Sequence, residues 1–184
     1  MSVSTFLTII IPVILAFAGY GFTYFNDRRL EKRKNRLDRI NLQLDDFYGP
    51  LLAIVESNQT AWDNFIAKYN GNRHFYKKDQ NPTTEQVAEF HNWMNTVFMP
   101  NNEKLYEVII NKTSLLDEDE IPGVLLDLLA HILEFRIALK DRKDEYAEVA
   151  ETNCKYPGED LLEYCEKKFR ELKTEQNKLI KKKK

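Results

Sequence analysis

Thr5 to Phe25 reads TFLTIIIPVILAFAGYGFTYF, 21 consecutive residues without a charged side chain. An α-helix needs about 20 residues to cross a hydrocarbon layer about 30 Å thick, so the run sets the first expectation, an N-terminal transmembrane helix. Its flanks are unequal. No Lys or Arg precedes it, whereas Arg28, Arg29, Lys32, Arg33, Lys34, Arg36 and Arg39 follow, and cytoplasmic flanks are the Lys/Arg-rich ones. The expected protein is single-pass, with its N-terminus outside and its C-terminus in the cytosol. A cleaved signal peptide is the rival reading, since Ala16-Phe17-Ala18 imitates a cleavage site. Met1 to Phe6 lacks the basic n-region such a peptide carries, however, so the uncleaved anchor is preferred. Tyr20, Tyr24 and Phe25 sit at the cytoplasmic end, where amphipathic rings favour the headgroup level. Pro12, Gly19 and Gly21 permit a bend or a close approach, without the Gly-x-x-x-Gly spacing of a dimerising span.

The rest of the 184 residues suffices for one cytosolic domain. A net charge of -2 hides a polarised pattern: basic beside the anchor, acidic from Asp117 to Glu120, basic again at Lys181 to Lys184. No broad basic surface with interleaved aromatics emerges, so nucleic acid is not an expected partner. Cys154 and Cys165 are read as free thiols in a reducing cytosol, and two cysteines fall short of a zinc set.

Beyond the anchor the apolar spacing becomes a heptad, with Leu30, Leu37, Leu44 and Leu51 seven apart and Ile40, Phe47 and Ile54 three after the last three. Two uses of that stripe stay open. Leu30, Leu37, Ile40, Leu44 and Phe47 can form a coiled-coil seam between copies, or they can be the face by which this helix joins its own domain. Gly49-Pro50 predicts a kink or a restart. A helix follows over about 50–69, then a loop enclosing Arg73-His74-Phe75-Tyr76-Lys77-Lys78. Thr83 with Gln86 predicts a capping box opening a helix that buries Val87, Phe90, Met94, Val97 and Phe98. Met99-Pro100 predicts the next break. The acidic run at 117–120 is read as the cap of a central helix over about 122–143, rich in leucine. A last helix starts near Glu159 with Leu161, Leu162, Cys165, Phe169, Leu172 and Leu179. No segment alternates with period two, so the expected fold is all-α. The expected organisation is a transmembrane anchor (1–25), a basic juxtamembrane helix (26–48), a cytosolic helical bundle (49–180) and a polybasic tail (181–184).

Chemical signatures are few. The six glycines are too scattered for a phosphate-binding loop or a dinucleotide fingerprint. Gly-x-Ser-x-Gly, His-Glu-x-x-His and the Glu-x-x-His pairs of a di-iron bundle are missing from the sequence. Asp127 and His131, four apart on one helix, could meet His91 and Glu89 from another, and that constellation defines an alternative reading as a hydrolase or metal-dependent enzyme. Its plainer reading is a packing histidine bonded to Asp127. Arg73, His74, Lys77 and Lys78 suit an anion or lipid headgroup, against the plainer reading of a solvated loop. The terminal lysines suit either the anionic leaflet or water. No cofactor is expected.

Leu44-Asp45-Asp46-Phe47-Tyr48-Gly49-Pro50-Leu51, Val97-Phe98-Met99-Pro100-Asn101-Asn102-Glu103-Lys104 and Leu125-Leu126-Asp127-Leu128-Leu129-Ala130-His131 resemble segments of small, single-pass, membrane-anchored helical proteins of bacteria that carry no assigned activity. The resemblance implies a bacterial inner-membrane address and an all-helical cytosolic domain, and transfers no site. The leading expectation is a non-enzymatic tethered domain that self-associates at the bilayer and binds a cytosolic protein or small ligand. A narrower version makes it a membrane effector of bacterial phage defence.

Overall fold

A computed structural model describes residues 3–74, 80–140 and 156–181, with side chains from residue 13 onward apart from 138–140. Among the described residues the regular structure is helical throughout, so the all-α expectation holds. The helices are α1 (Val3–Gln43), α2 (Gly49–Ala67), α3 (Thr84–Trp93), α4 (Met99–Asn111), α5 (Gly123–Lys140) and α6 (Gly158–Lys181). The chain divides into two compact units, Met1–Asn41 with Gln176–Lys184, and Leu42–Glu175.

The two prolines expected to break helices do something subtler. Five-residue π-helical turns, Leu44–Tyr48 and Met94–Phe98, precede Gly49-Pro50 and Met99-Pro100. A proline inside a helix has no N–H to donate and its ring collides with the carbonyl four residues back. Widening the preceding turn by one residue moves that carbonyl aside. Accordingly Gly49 N–H bonds the Leu44 carbonyl and Met99 N–H bonds the Met94 carbonyl, each five residues back. The helix runs on, with proline in the first turn of α2 and of α4.

In the larger unit, α4 packs against both α2 and α5. Phe47, Tyr48, Leu51, Val55, Leu105, Ile109, Leu125, Leu128, Ile132, Leu161 and Cys165 are all buried. Phe65, Ile66, Phe90, Met94, Phe98 and Met99 make a second cluster, with Trp62, Trp93 and Phe135 against it. The capping box forms as its spacing predicts: Gln86 N–H donates to Thr83 Oγ at 3.2 Å and Thr83 N–H to Gln86 Oε1 at 2.8 Å. At the far end of α2, Asn70 (φ 52°) and Gly71 (φ 76°) turn left-handed, and Gly71 N–H closes on the Ile66 carbonyl at 3.2 Å. The acidic run is a correction. Asp117–Glu120 lies ahead of α5, whose first turn contains no acid; there the Pro122 carbonyl accepts from Leu125 and Leu126 N–H. The final residues expected for that helix, 141–143, lie outside the described residues.

The smaller unit joins α1 up to Asn41 with the end of α6. Gln176 Nε2 donates to Asn41 Oδ1 at 2.7 Å, and the Arg33 guanidinium donates to the Leu179 carbonyl. From Val13 to Phe25 every residue of α1 except Gly21 is exposed, apolar side chains pointing outward on all faces. Gly19 and Gly21 have nothing of their own chain against them. Among the described residues no helix is long and apolar enough to cross a membrane. The first part of the expected span, 5–12, lies outside the residues whose side chains are described.

Candidate functional site

A connected polar group of the larger unit lies where α6 meets the first π-turn. Tyr48 and Tyr164 each donate a hydroxyl to the Glu118 carboxylate, at 3.0 and 3.2 Å, and Lys168 Nζ stands 2.8 Å from it. Asp117 N–H donates to Tyr48 Oη at 3.3 Å. Burial by itself pushes the Glu118 carboxyl up; the Lys168 ammonium and the Tyr48 hydroxyl more than reverse it, leaving the group below the ordinary carboxylate range. Burial raises Tyr48 to about 12 and raises Tyr164 as well. Near neutrality the tyrosines therefore stay donors and Glu118 stays an acceptor. Such a group latches a loop to two helices.

A second polar group lies around Tyr156, beside His131. The imidazole is buried, with ring centroids 4.8 Å from Phe135 and 5.4 Å from Tyr156. Asn58 is buried too and accepts from Asn101 Nδ2 at 2.8 Å. Burial pushes the Cys165 thiol up to about 12, so it is a packed, protonated side chain and no nucleophile. Asp127, by contrast, is exposed. Glu89 is engaged elsewhere, with Lys68 at 2.6 Å and the Tyr69 hydroxyl at 2.7 Å, while His91 is half-buried with its ring beside Phe90. Among the described residues no three His, Cys, Asp or Glu side chains form a metal-holding group. The constellation of His91, Asp127 and His131 is thus not assembled.

The remaining expected residues are placed as follows. Arg73 pairs with Asp63 at 2.9 Å, and His74 N–H donates to Asn72 Oδ1 at 3.0 Å. Lys77 and Lys78 lie outside the described residues. Of the seam, Ile40, Leu44 and Phe47 are buried within the chain itself, Leu37 is half-buried and Leu30 is exposed. Only the end of the stripe nearer the apolar run is left for another copy. Sequence reasoning had not singled out Tyr48, Glu118, Tyr164, Lys168 or the Arg136 fork. Arg136 holds Glu103 with both arms of its guanidinium, which lies 4.1 Å over the Tyr106 ring. A shallow recess of about 350 Å³ between α2 and α6 is lined by Leu52, Glu56, Glu166, Phe169, Arg170 and Lys173. Its charges are balanced and Arg170 already faces Glu166 at 3.5 Å, so it selects no ligand by sign.

Compared with known proteins, the chain matches no family model, no curated protein and no solved structure. What it does must be read from its own surface.

Proposed function

We propose that this chain is a membrane-tethered helical interaction protein whose larger unit is displayed at the cytoplasmic face, and that it is not an enzyme. The observation that carries the reading is the apolar, all-round exposure of α1 from Val13 to Phe25, continuing the uncharged run that begins at Thr5. A helix apolar on every side needs an apolar surrounding, and a hydrocarbon layer supplies it. Three further features support the same placement. Tyr20 and Tyr24 stack at 6.5 Å near the end of the run, Arg28 lies 5.8 Å over the Tyr24 ring, and basic residues follow at once. The Glu118 group supports a binding role over catalysis, since its carboxylate is already held by Tyr48, Tyr164 and Lys168.

Two measurements test this. Alkaline carbonate extraction should leave the full chain in the membrane pellet, and a cytosolic reporter fused after Lys184 should be active while a periplasmic one is silent. Release by carbonate refutes the anchor; the opposite reporter pattern refutes the orientation. Stoichiometric metal in the purified protein would revive the enzyme alternative.

A further inference from the structure

The two basic stretches of this protein are more than 140 residues apart in sequence, yet the smaller unit brings them together. α1 leaves the apolar run at Phe25 and passes Arg28, Arg29 and Lys32, all exposed. α6 comes back along it in the opposite direction. Gln176 is bonded to Asn41, and Leu179 accepts from Arg33. Carrying that antiparallel pairing two residues on sets Lys181 level with a point between residues 31 and 36 of α1. At 1.5 Å per residue, this is roughly 9–16 Å beyond Phe25. Lys178, Ile180 and Lys181 are all exposed there.

We infer that Arg28, Arg29 and Lys32 of α1 and Lys178 and Lys181 of α6 form one collar that binds the headgroups of anionic phospholipids. The inference rests on the anchor reading given above. Sign is the first argument. Over residues 27–36 and 173–181 nine basic side chains stand against three acidic ones, Asp27, Glu31 and Glu175, whereas an uncharged headgroup layer would offer no reward for such an excess. Position is the second. The headgroup zone adds about 5–7 Å to each side of the hydrocarbon core, and an anionic surface is felt for about a further 8–10 Å, a Debye length at physiological salt. Lys181 falls inside that reach, and a long lysine stem directs its ammonium toward the phosphates. Continuity is the third: the collar begins where the exposed apolar run stops, so an occupant that covers one is brought against the other. A bilayer with acidic lipids meets both requirements at once, and a soluble anion meets only one.

The test uses the full chain carrying Ile180→Cys and Cys154→Ser, with Cys165 left in place because it is buried. The protein is placed in nanodiscs of phosphatidylcholine alone or with phosphatidylglycerol, and labelling of the introduced thiol by an uncharged polyethylene glycol maleimide is timed. Phosphatidylglycerol should slow labelling about tenfold, as two lysines drawn onto an acidic surface would. High salt should abolish the slowing, and so should the pair Lys178→Gln and Lys181→Gln. Equal rates in both lipids overturn the collar, as does slowing that the double substitution leaves intact. Slowing of the same size by dissolved glycerol phosphate, in phosphatidylcholine discs, would mean a free-anion site and overturns it too. If the protein fails to enter phosphatidylcholine discs at all, the anchor reading falls and the collar with it; if it enters them but ignores phosphatidylglycerol, the collar alone falls.

Discussion

Replacing Gly49 with alanine should destabilise the protein, although glycine is among the worst residues for a helix. A Cβ built on Gly49 stands 2.3 Å from the Leu44 carbonyl oxygen, where real contacts stay above 3.0 Å, and 3.8 Å from Phe169 Cε2. About 0.7 Å of retreat is required, and the atom that must retreat is backbone. It is also the acceptor of the Gly49 N–H that closes the π-turn, so relief of the clash stretches the bond that defines the turn. Strain of this kind costs about 1–3 kcal/mol, and weakening the hydrogen bond adds up to about 1 kcal/mol. Against these stands a helix-propensity gain of about 1 kcal/mol for glycine to alanine. The balance is a loss of up to about 3 kcal/mol, centred on about 1.5 kcal/mol. Met99 bounds it from below: it occupies the same place in the second π-turn and bonds Met94 in the same manner, so a turn of this type accommodates a Cβ once its backbone has adjusted.

Urea unfolding of the full chain in mild detergent, followed by the fluorescence of Trp62 and Trp93 in the second cluster, measures the difference. With a slope of about 1–3 kcal/mol per molar, the midpoint should fall by roughly 0.5–1 M. Gly123→Ala is the control, because a Cβ there meets nothing within 4 Å; it should leave the midpoint unchanged or raise it. If Gly49→Ala raises the midpoint as much as Gly123→Ala does, the reasoning about the π-turn is refuted.

Other outcomes follow from the charged groups and the seam. Because the folded Glu118 carboxyl lies below its ordinary value, its contribution is complete above the unfolded carboxylate range and lost as pH falls through the folded value; Glu118→Gln should flatten the acid limb of a stability-against-pH curve. Tyr48 and Tyr156, raised to about 12, contribute fully below pH 10.0 and lose that contribution as pH climbs from there to about 12, so thermal melts should drop over that window and Tyr156→Phe should lessen the drop. Arg136→Lys forfeits the two-armed grip on Glu103 and the stacking on Tyr106, and should cost about 1 kcal/mol in the same urea titration. In native membranes, an oxidant should crosslink copies through Leu30→Cys and leave Leu44→Cys monomeric, since Leu30 is exposed and Leu44 is buried; equal yields would mean that copies associate in another way.

Local rules succeeded where the partners are local. Thr83 and Gln86 are three residues apart, and a capping box needs nothing else. Leu125, Leu128 and Ile132 repeat at helical spacing, and they are the buried face of α5. The prolines marked two irregularities in the right places, but the rule that proline ends a helix treats the preceding turn as rigid. Whether that turn widens or stops is decided by packing, and here Phe47, Tyr48, Met94 and Phe98 are all buried within the widened turns, so keeping the helix continuous keeps four large side chains in the core.

The polar groups were illegible for a different reason. Tyr48 bonds Glu118 across 70 residues and Tyr164 bonds it across 46, and no spacing rule reaches so far. The run Asp117–Glu120 looked like a cap because a helix follows it, and helix starts do favour acids. A cap must lie within the first turn, however, and Ile121 and Pro122 intervene before Gly123 opens α5. That displacement frees Glu118 to leave the helix axis and meet Lys168. The heptad stripe shows the same limit in apolar form: period seven fixes which side of α1 is greasy and is silent on what covers it. Burial then changes along a single stripe, from exposed Leu30 through half-buried Leu37 to Ile40, Leu44 and Phe47 inside the chain. The two uses left open by the sequence are therefore not exclusive. The domain end of the stripe is occupied by the chain's own packing, and a contact between copies through this stripe would be made where it nears the apolar run, among residues that a shared bilayer would already hold at high effective concentration.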